Sequence, residues 1–182
     1  NGWTVEDQAY ALSNRTAVTV SDHETSALPA ATGLTPSDSN QGSHRSPLAT
    51  IQGGINAVVA GGTVNVRDGT YTIPSGGGNY IDITKSRARI VQSKDQTIID
   101  ASAASSYGMR VQADNVSLSN FTLLGSTTGY GFKVEPLEAG PTNPNDRVNT
   151  FSISNVAESG SKKTGLDLNG VDHAAIDGVS IS

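Results

Sequence analysis

The chain has 182 residues, with 17 Asp and Glu against 12 Lys and Arg, a net charge of −5, and no cysteine. An acidic balance without any run of Lys and Arg removes the electrostatic footprint of nucleic-acid binding, and no apolar stretch approaches the roughly 18 residues of a membrane span. Disulfides, thiolate chemistry and Cys-ligated zinc are excluded with the cysteines.

In chain order, residues 1–32 differ from the rest of the chain. Thr4 to Leu12 can form one short helix and Thr16 to Val20 one strand, so this segment reads as an amino-terminal arm or cap. Residues 33–47 combine Gly, Pro, Ser, Asp and Asn without apolar periodicity and read as a loop. From Pro47 to Val59, the positions of Leu48, Ile51, Ile55 and Val58 predict a helix, with Gly61-Gly62 as its stop. From Thr63 onward the period changes to two, starting with Val64, Val66, Tyr71 and Ile73, and short strands and turns fill the remaining sequence.

Within that region the sequence repeats. Gly108-Met109-Arg110-Val111, Gly131-Phe132-Lys133-Val134 and Gly165-Leu166-Asp167-Leu168 share the order Gly, apolar, charged, apolar, and begin 23 and then 34 residues apart. After each comes a second block, at Val116 to Leu123, Phe151 to Val156 and Ala174 to Ile181, broken by a Ser-Asn or Asp-Gly corner. The longer interval holds an insertion from Pro136 to Arg147 with three prolines. Strands this short cannot bury a face alone and must stack on their neighbours. The expected fold is therefore all-β, a right-handed parallel β-helix over residues 33–182, with Met109, Phe132 and Leu166 in one inward ladder and Val111, Val134 and Leu168 in another. An immunoglobulin-like sandwich is the competing all-β architecture.

The stretches Asp38 to Ser43, Ser46 to Gln52 and Gly61 to Tyr71 (GGTVNVRDGTY) resemble the amino-terminal cap and first coil of secreted, pectate-lyase-like, right-handed parallel β-helix proteins. The resemblance implies that the helix from Pro47 plugs the end of the coil and that Gly69-Thr70-Tyr71 closes the first turn. The same opening occurs in polysaccharide lyases, alginate epimerases, phage tailspikes, adhesins and surface-layer proteins, so it speaks for fold more than for function. It also implies that any chemistry sits on the outer face of a middle coil, where a lyase needs a base and often calcium beside the sugar carboxylate.

Candidates for such a face are Asp82, Lys85, Arg87 and Arg89, then the aligned Arg110, Lys133 and Asp167, then Asp172, His173 and Asp177. The aligned three form one outward column, either a clamp for an acidic polysaccharide or a solvated face. Asp172-His173 matches Asp114-Asn115 and is either a corner or an acid/base pair. No Asp-Pro-His signature and no Asp-x-x-Asp or Arg-x-x-Arg cluster is present, which weighs against an enzyme. Asp38 and Asn40 offer oxygens to calcium or form an Asx-turn. His23, His44 and His173 are scattered, and no cofactor is expected.

The Lys-poor Ser/Thr/Asn/Gly composition suggests an extracellular or cell-surface protein, and Asn1-Gly2-Trp3 at the start, unlike a signal peptide, suggests a mature form or a fragment. Asn14, Asn115 and Asn120 fit the glycosylation pattern. The leading functional expectation is a structural or adhesive module that self-associates head to tail into a layer or fibre. Its contact would join Trp3, Val5, Tyr10, Leu12, Val18 and Val20 to the uncovered Ile176, Val179 and Ile181 of the last coil, unless residues 1–32 fold back as a cap. The alternative is a carbohydrate-active enzyme or polysaccharide-binding fragment; nucleic acid and membrane insertion are not expected.

Overall fold

A computed structural model of the protein describes residues 15–22, 35–43, 46–92, 97–137 and 147–182. The expected helix over residues 4–12, together with Trp3, Val5, Tyr10, Leu12, Asn14, His23, His44 and most of the proline-containing insertion, lies outside the described residues. In order the elements are β1 (Arg15–Val20), α1 (Ile51–Ala57), β2 (Val58–Val66), β3 (Gly69–Thr72), β4 (Ile81–Ile83), β5 (Arg89–Gln92), β6 (Thr97–Asp100) and β7 (Tyr107–Val111). Then come β8 (Val116–Leu124), β9 (Tyr130–Val134), β10 (Phe151–Ser159), β11 (Leu166–Leu168), β12 (Ala174–Asp177) and β13 (Ser180–Ile181).

Among the described residues, nine strands form one sheet along the order β1-β2-β5-β8-β10-β12, with β3, β6 and β13 alongside, and β4-β7-β9-β11 form a second. All pairs of named strands are parallel. Parallel neighbours require a crossover rather than a hairpin, which overturns the antiparallel sandwich. From β4 on, the chain makes its crossovers by alternating between the sheets: β4 in the small one, β5 and β6 in the large one, β7 back again, and so to β13.

The repeat register holds residue by residue. Met109 pairs with Phe132 and Phe132 with Leu166, while Val111 pairs with Val134 and Val134 with Leu168. Ile81 and Ile83 extend both columns through β4. On the larger sheet Ile90, Leu118, Ile153 and Ile176 form a third column. These side chains face one core because alternate residues of a strand point to opposite faces, and Ile83, Ile90, Val111, Leu118 and Val134 are all fully buried there.

Two boundaries differ from the sequence expectation. The helix is seven residues long and gives way to strand at Val58, and β2 runs straight through Gly61-Gly62. Pairing decides this: Val64 and Val66 are matched to Val18 and Val20 on one side and to Ile90 and Gln92 on the other. Gly53 and Gly54 are not helix breakers but close approaches, since a Cβ would meet the Asp38 carboxylate at the first and Val20 and Val64 at the second. The second boundary is the arm. β1 is the edge strand of the large sheet, and Val18 and Val20 are buried at 1% and 0% exposure beneath their own chain. Both are therefore occupied and withdrawn from the expected contact with a neighbour.

The corners between strands carry positive backbone φ. Asn120 (64°), Asn155 (51°) and Gly178 (58°) stand at equivalent places, and the Asn155 Nδ2 donates to Asn120 Oδ1 at 3.2 Å. Asn is the L residue with a side chain that best tolerates this region, which explains why the corner reads Ser-Asn, Ser-Asn, Asp-Gly.

Candidate functional site

The charged residue of each repeat lies between two inward residues and so points away from the core. Register places Asp82 beside Arg110, Arg110 beside Lys133, and Lys133 beside Asp167, in one column across the four-stranded sheet. Neighbouring strands are about 4.8 Å apart, close enough for direct pairing. Lys133 Nζ donates to Asp167 Oδ2 at 2.7 Å and lies 3.7 Å from Glu135 Oε2, while Arg110 Nε donates to Glu135 Oε1 at 2.9 Å. Glu135, just past β9, thus bridges the two cations.

Three tyrosines flank this column. Tyr80 meets Tyr107 edge-on with ring centroids 5.2 Å apart, and Tyr107 stacks on Tyr130 at 5.9 Å. The Tyr80 hydroxyl accepts from Arg110 Nη1 at 3.2 Å. The Arg110 guanidinium sits 5.7 Å from the Tyr107 ring centre, and the ammoniums of Lys133 and Lys163 each sit 5.1 Å from that of Tyr130. These distances fall within the cation–π range.

Lys133 is the buried member of the column at 8% exposure, while Asp82, Arg110 and Asp167 are half-buried. Burial pulls the Lys133 ammonium pKa down, but Asp167, Glu135 and Tyr130 outweigh that and leave it raised. Lys133 therefore stays protonated and is no base at neutral pH. Burial likewise acts against the Arg110 charge and is outweighed by Tyr80 and Glu135. Asp82 is pushed up by burial against the opposing influence of Arg110, and its Oδ1 is buried without a hydrogen-bond partner. Among the described residues, three cations (Arg110, Lys133, Lys163) and three carboxylates (Asp82, Glu135, Asp167) make up the cluster.

The structure brings together Asp82, Arg110, Lys133 and Asp167 and disperses the other candidates. Lys85 donates to the carbonyls of Asn56 and Val58 at 2.6 and 2.7 Å, closing the carboxy-terminal end of α1. Arg87 occupies a positive-φ corner and Arg89 lies on the other sheet. Asp172 pairs with Arg147, the His173 carbonyl accepts from the Phe151 amide, and Asp177 is exposed at the end of β12. Asp172-His173 stands at the corner equivalent to Asp114-Asn115 but is built differently, since Asn115 has a positive φ of 57° and His173 does not, and Asp114 accepts from the Asn149 amide where Asp172 pairs with Arg147. Asp38 accepts from the amides of Ala49 and Thr50 and from the Thr50 hydroxyl, and Asn40 donates to the carbonyls of Thr35 and Pro47. Both hold the loop before α1. Among the described residues no three His, Asp or Glu converge as metal ligands.

Sequence reasoning missed Tyr80, Tyr107, Tyr130, Glu135 and Lys163. A signal for the tyrosines was present, since Tyr-Gly precedes the apolar-charged-apolar triplet twice and Tyr80 precedes the glycine-free copy Ile81-Asp82-Ile83. Elsewhere, Ile176 and Ile181 are 51% exposed although Ile176 stands in register on the buried Ile153, and Val179 packs partly against the core. Asn115 and Asn120 are exposed at corners. No protein-family model, curated protein or solved structure matches the chain.

Proposed function

We propose that the chain winds as a right-handed parallel β-helix, similar to the secreted pectate-lyase-like proteins, and that it is an adhesive module holding a polysaccharide along the outer face of its four-stranded sheet. Parallel pairing with two alternating sheets supports the winding, because β-crossover-β connections are overwhelmingly right-handed. The observation that carries the binding reading is the row Tyr80, Tyr107 and Tyr130 beside the charged column. Tyrosine presents an apolar body with a polar tip, suited to the C–H faces and hydroxyls of sugars. The mixed charges favour a neutral, hydroxyl-rich chain over a polyuronate, and the paired, protonated Lys133 favours holding over cleavage. An extracellular or surface location accompanies this reading.

Affinity electrophoresis through gels containing a neutral β-glucan or polygalacturonate tests it. Retardation by the glucan, reduced in Tyr107→Ala and Tyr130→Ala, is the expected result. Passage through both gels without retardation overturns the reading, and unsaturated, ultraviolet-absorbing products from polygalacturonate would make the protein a lyase instead.

A second reading, head-to-tail self-association, draws on the uncovered Ile176 and Ile181. Sedimentation of the full chain tests it: assembly that grows with concentration is expected, and a monomer at high concentration overturns it.

A further inference from the structure

A cavity of about 620 Å³ opens between the start of α1, the end of β3 and the approach to β4. That size is typical of small-molecule sites. Its floor is apolar, formed by Ile51, Tyr71, Ile73 and Ile81, each at most 7% exposed. Its polar lining includes Thr50, Gln52, Thr70, Asn79, Asp22 and Asp82, and among the described residues no Lys or Arg contributes.

Asp82 is the informative member. Its Oδ1 is inaccessible and has no hydrogen-bond partner, an arrangement that is rare in native proteins and that a turn of the carboxylate toward the cavity would relieve. The nearby donors are engaged elsewhere. Gln52 Nε2 donates to the Asp82 carbonyl at 3.1 Å and to Asn56 Oδ1, and Gln52 Oε1 accepts the Asp82 amide at 2.7 Å. Arg110 is directed to Glu135 and Tyr80. Asp22 Oδ2 in turn accepts the Thr70 amide at 2.7 Å.

We propose that this cavity binds a neutral saccharide unit, one of whose hydroxyls donates to the Asp82 carboxylate once that side chain turns toward the cavity, while its C–H face lies on the isoleucine floor. Two carboxylates and, among the described residues, no lining cation disfavour an anionic ligand, because an anion would meet like charge there. Tyr80 lines the cavity and is also the first of the three tyrosines. Resting on the polysaccharide reading above, the cavity is then the place where a glycan laid along the tyrosines seats a terminal sugar. The hydroxyl chemistry of the cavity stands without that continuity.

The test titrates the full chain with cellobiose and, separately, with digalacturonate, followed by calorimetry and backbone amide shifts. Cellobiose is expected to saturate, with shifts centred on Thr70, Asn79 and Asp82, and to lose at least tenfold in affinity in both Asp82→Ala and Thr72→Trp, the second filling the cavity. No saturable cellobiose binding, affinity unchanged in both variants, or tighter binding of digalacturonate overturns the proposal. Retardation by long glucan without cellobiose uptake refutes the cavity and spares the outer-face reading; cellobiose uptake without retardation does the reverse.

Discussion

Lys133 and Asp167 are 34 residues apart in sequence, yet their side chains meet at 2.7 Å because Phe132-Lys133-Val134 and Leu166-Asp167-Leu168 pair in register. With side chains 11% and 28% exposed, the pair is partly buried. Asp167→Ala would leave the ammonium with only the 3.7 Å contact to Glu135, and is expected to cost about 1–3 kcal/mol in chemical denaturation. The folded Lys133 pKa is raised, so its contribution is fully present below the unfolded value of 10.5 and is lost as pH rises through the folded value. Melting temperature should therefore fall more steeply above that pH in the wild type than in Lys133→Met. Equal slopes would show that the pair is energetically idle.

Val134 is fully buried between Val111 and Leu168. Val134→Asp puts a carboxylate into the core with no donor facing it, and a loss above about 4 kcal/mol is expected. Circular dichroism should show no cooperative β-rich transition at room temperature. A variant that melts near the wild type would mean that the column is not the centre of the core.

The corner at Asn155 separates backbone preference from side-chain bonding. With φ at 51°, Asn155→Ala should cost about 1–2 kcal/mol. Asn155→Gly relieves the backbone and loses only the bond to Asn120, so a cost of about 0.5–1 kcal/mol is expected. The reversed order in urea unfolding would place the importance of this corner in the asparagine ladder.

Glu158 is 2% exposed in a strand whose register sets it between Leu123 and Ile181. Its Oε1 accepts from the Ser161 hydroxyl, and its Oε2 has no partner. Leaving a buried polar atom without a hydrogen bond costs about 1–3 kcal/mol, which an apolar side chain of similar size avoids. Glu158→Leu is accordingly expected to raise the melting temperature by several degrees, read by scanning calorimetry. A drop would indicate a water or ion completing Oε2.

Alternation by two residues is a property of the extended chain itself, so the inward residues of the repeats, their stacking order and the asparagine corners were legible in Gly108 to Ile181 from the sequence alone. The column Arg110, Lys133 and Asp167 followed from the same alignment. The helix end was not legible, because Val58 fits both a helical stripe and the first residue of a strand, and only pairing of β2 with β1 and β5 chose between them. Of the column's partners only the tyrosines left a signal, in the repeated Tyr-Gly, and the contacts themselves were not legible. Whether a charge is solvated or held depends on what lies around it. Here Glu135, just past β9, sits between two cations while Tyr107 and Tyr130, at the starts of β7 and β9, lie beside them. The cavity at Asp82 belongs to the same class, since it is space left between α1, β3 and β4, elements whose contact no local pattern encodes.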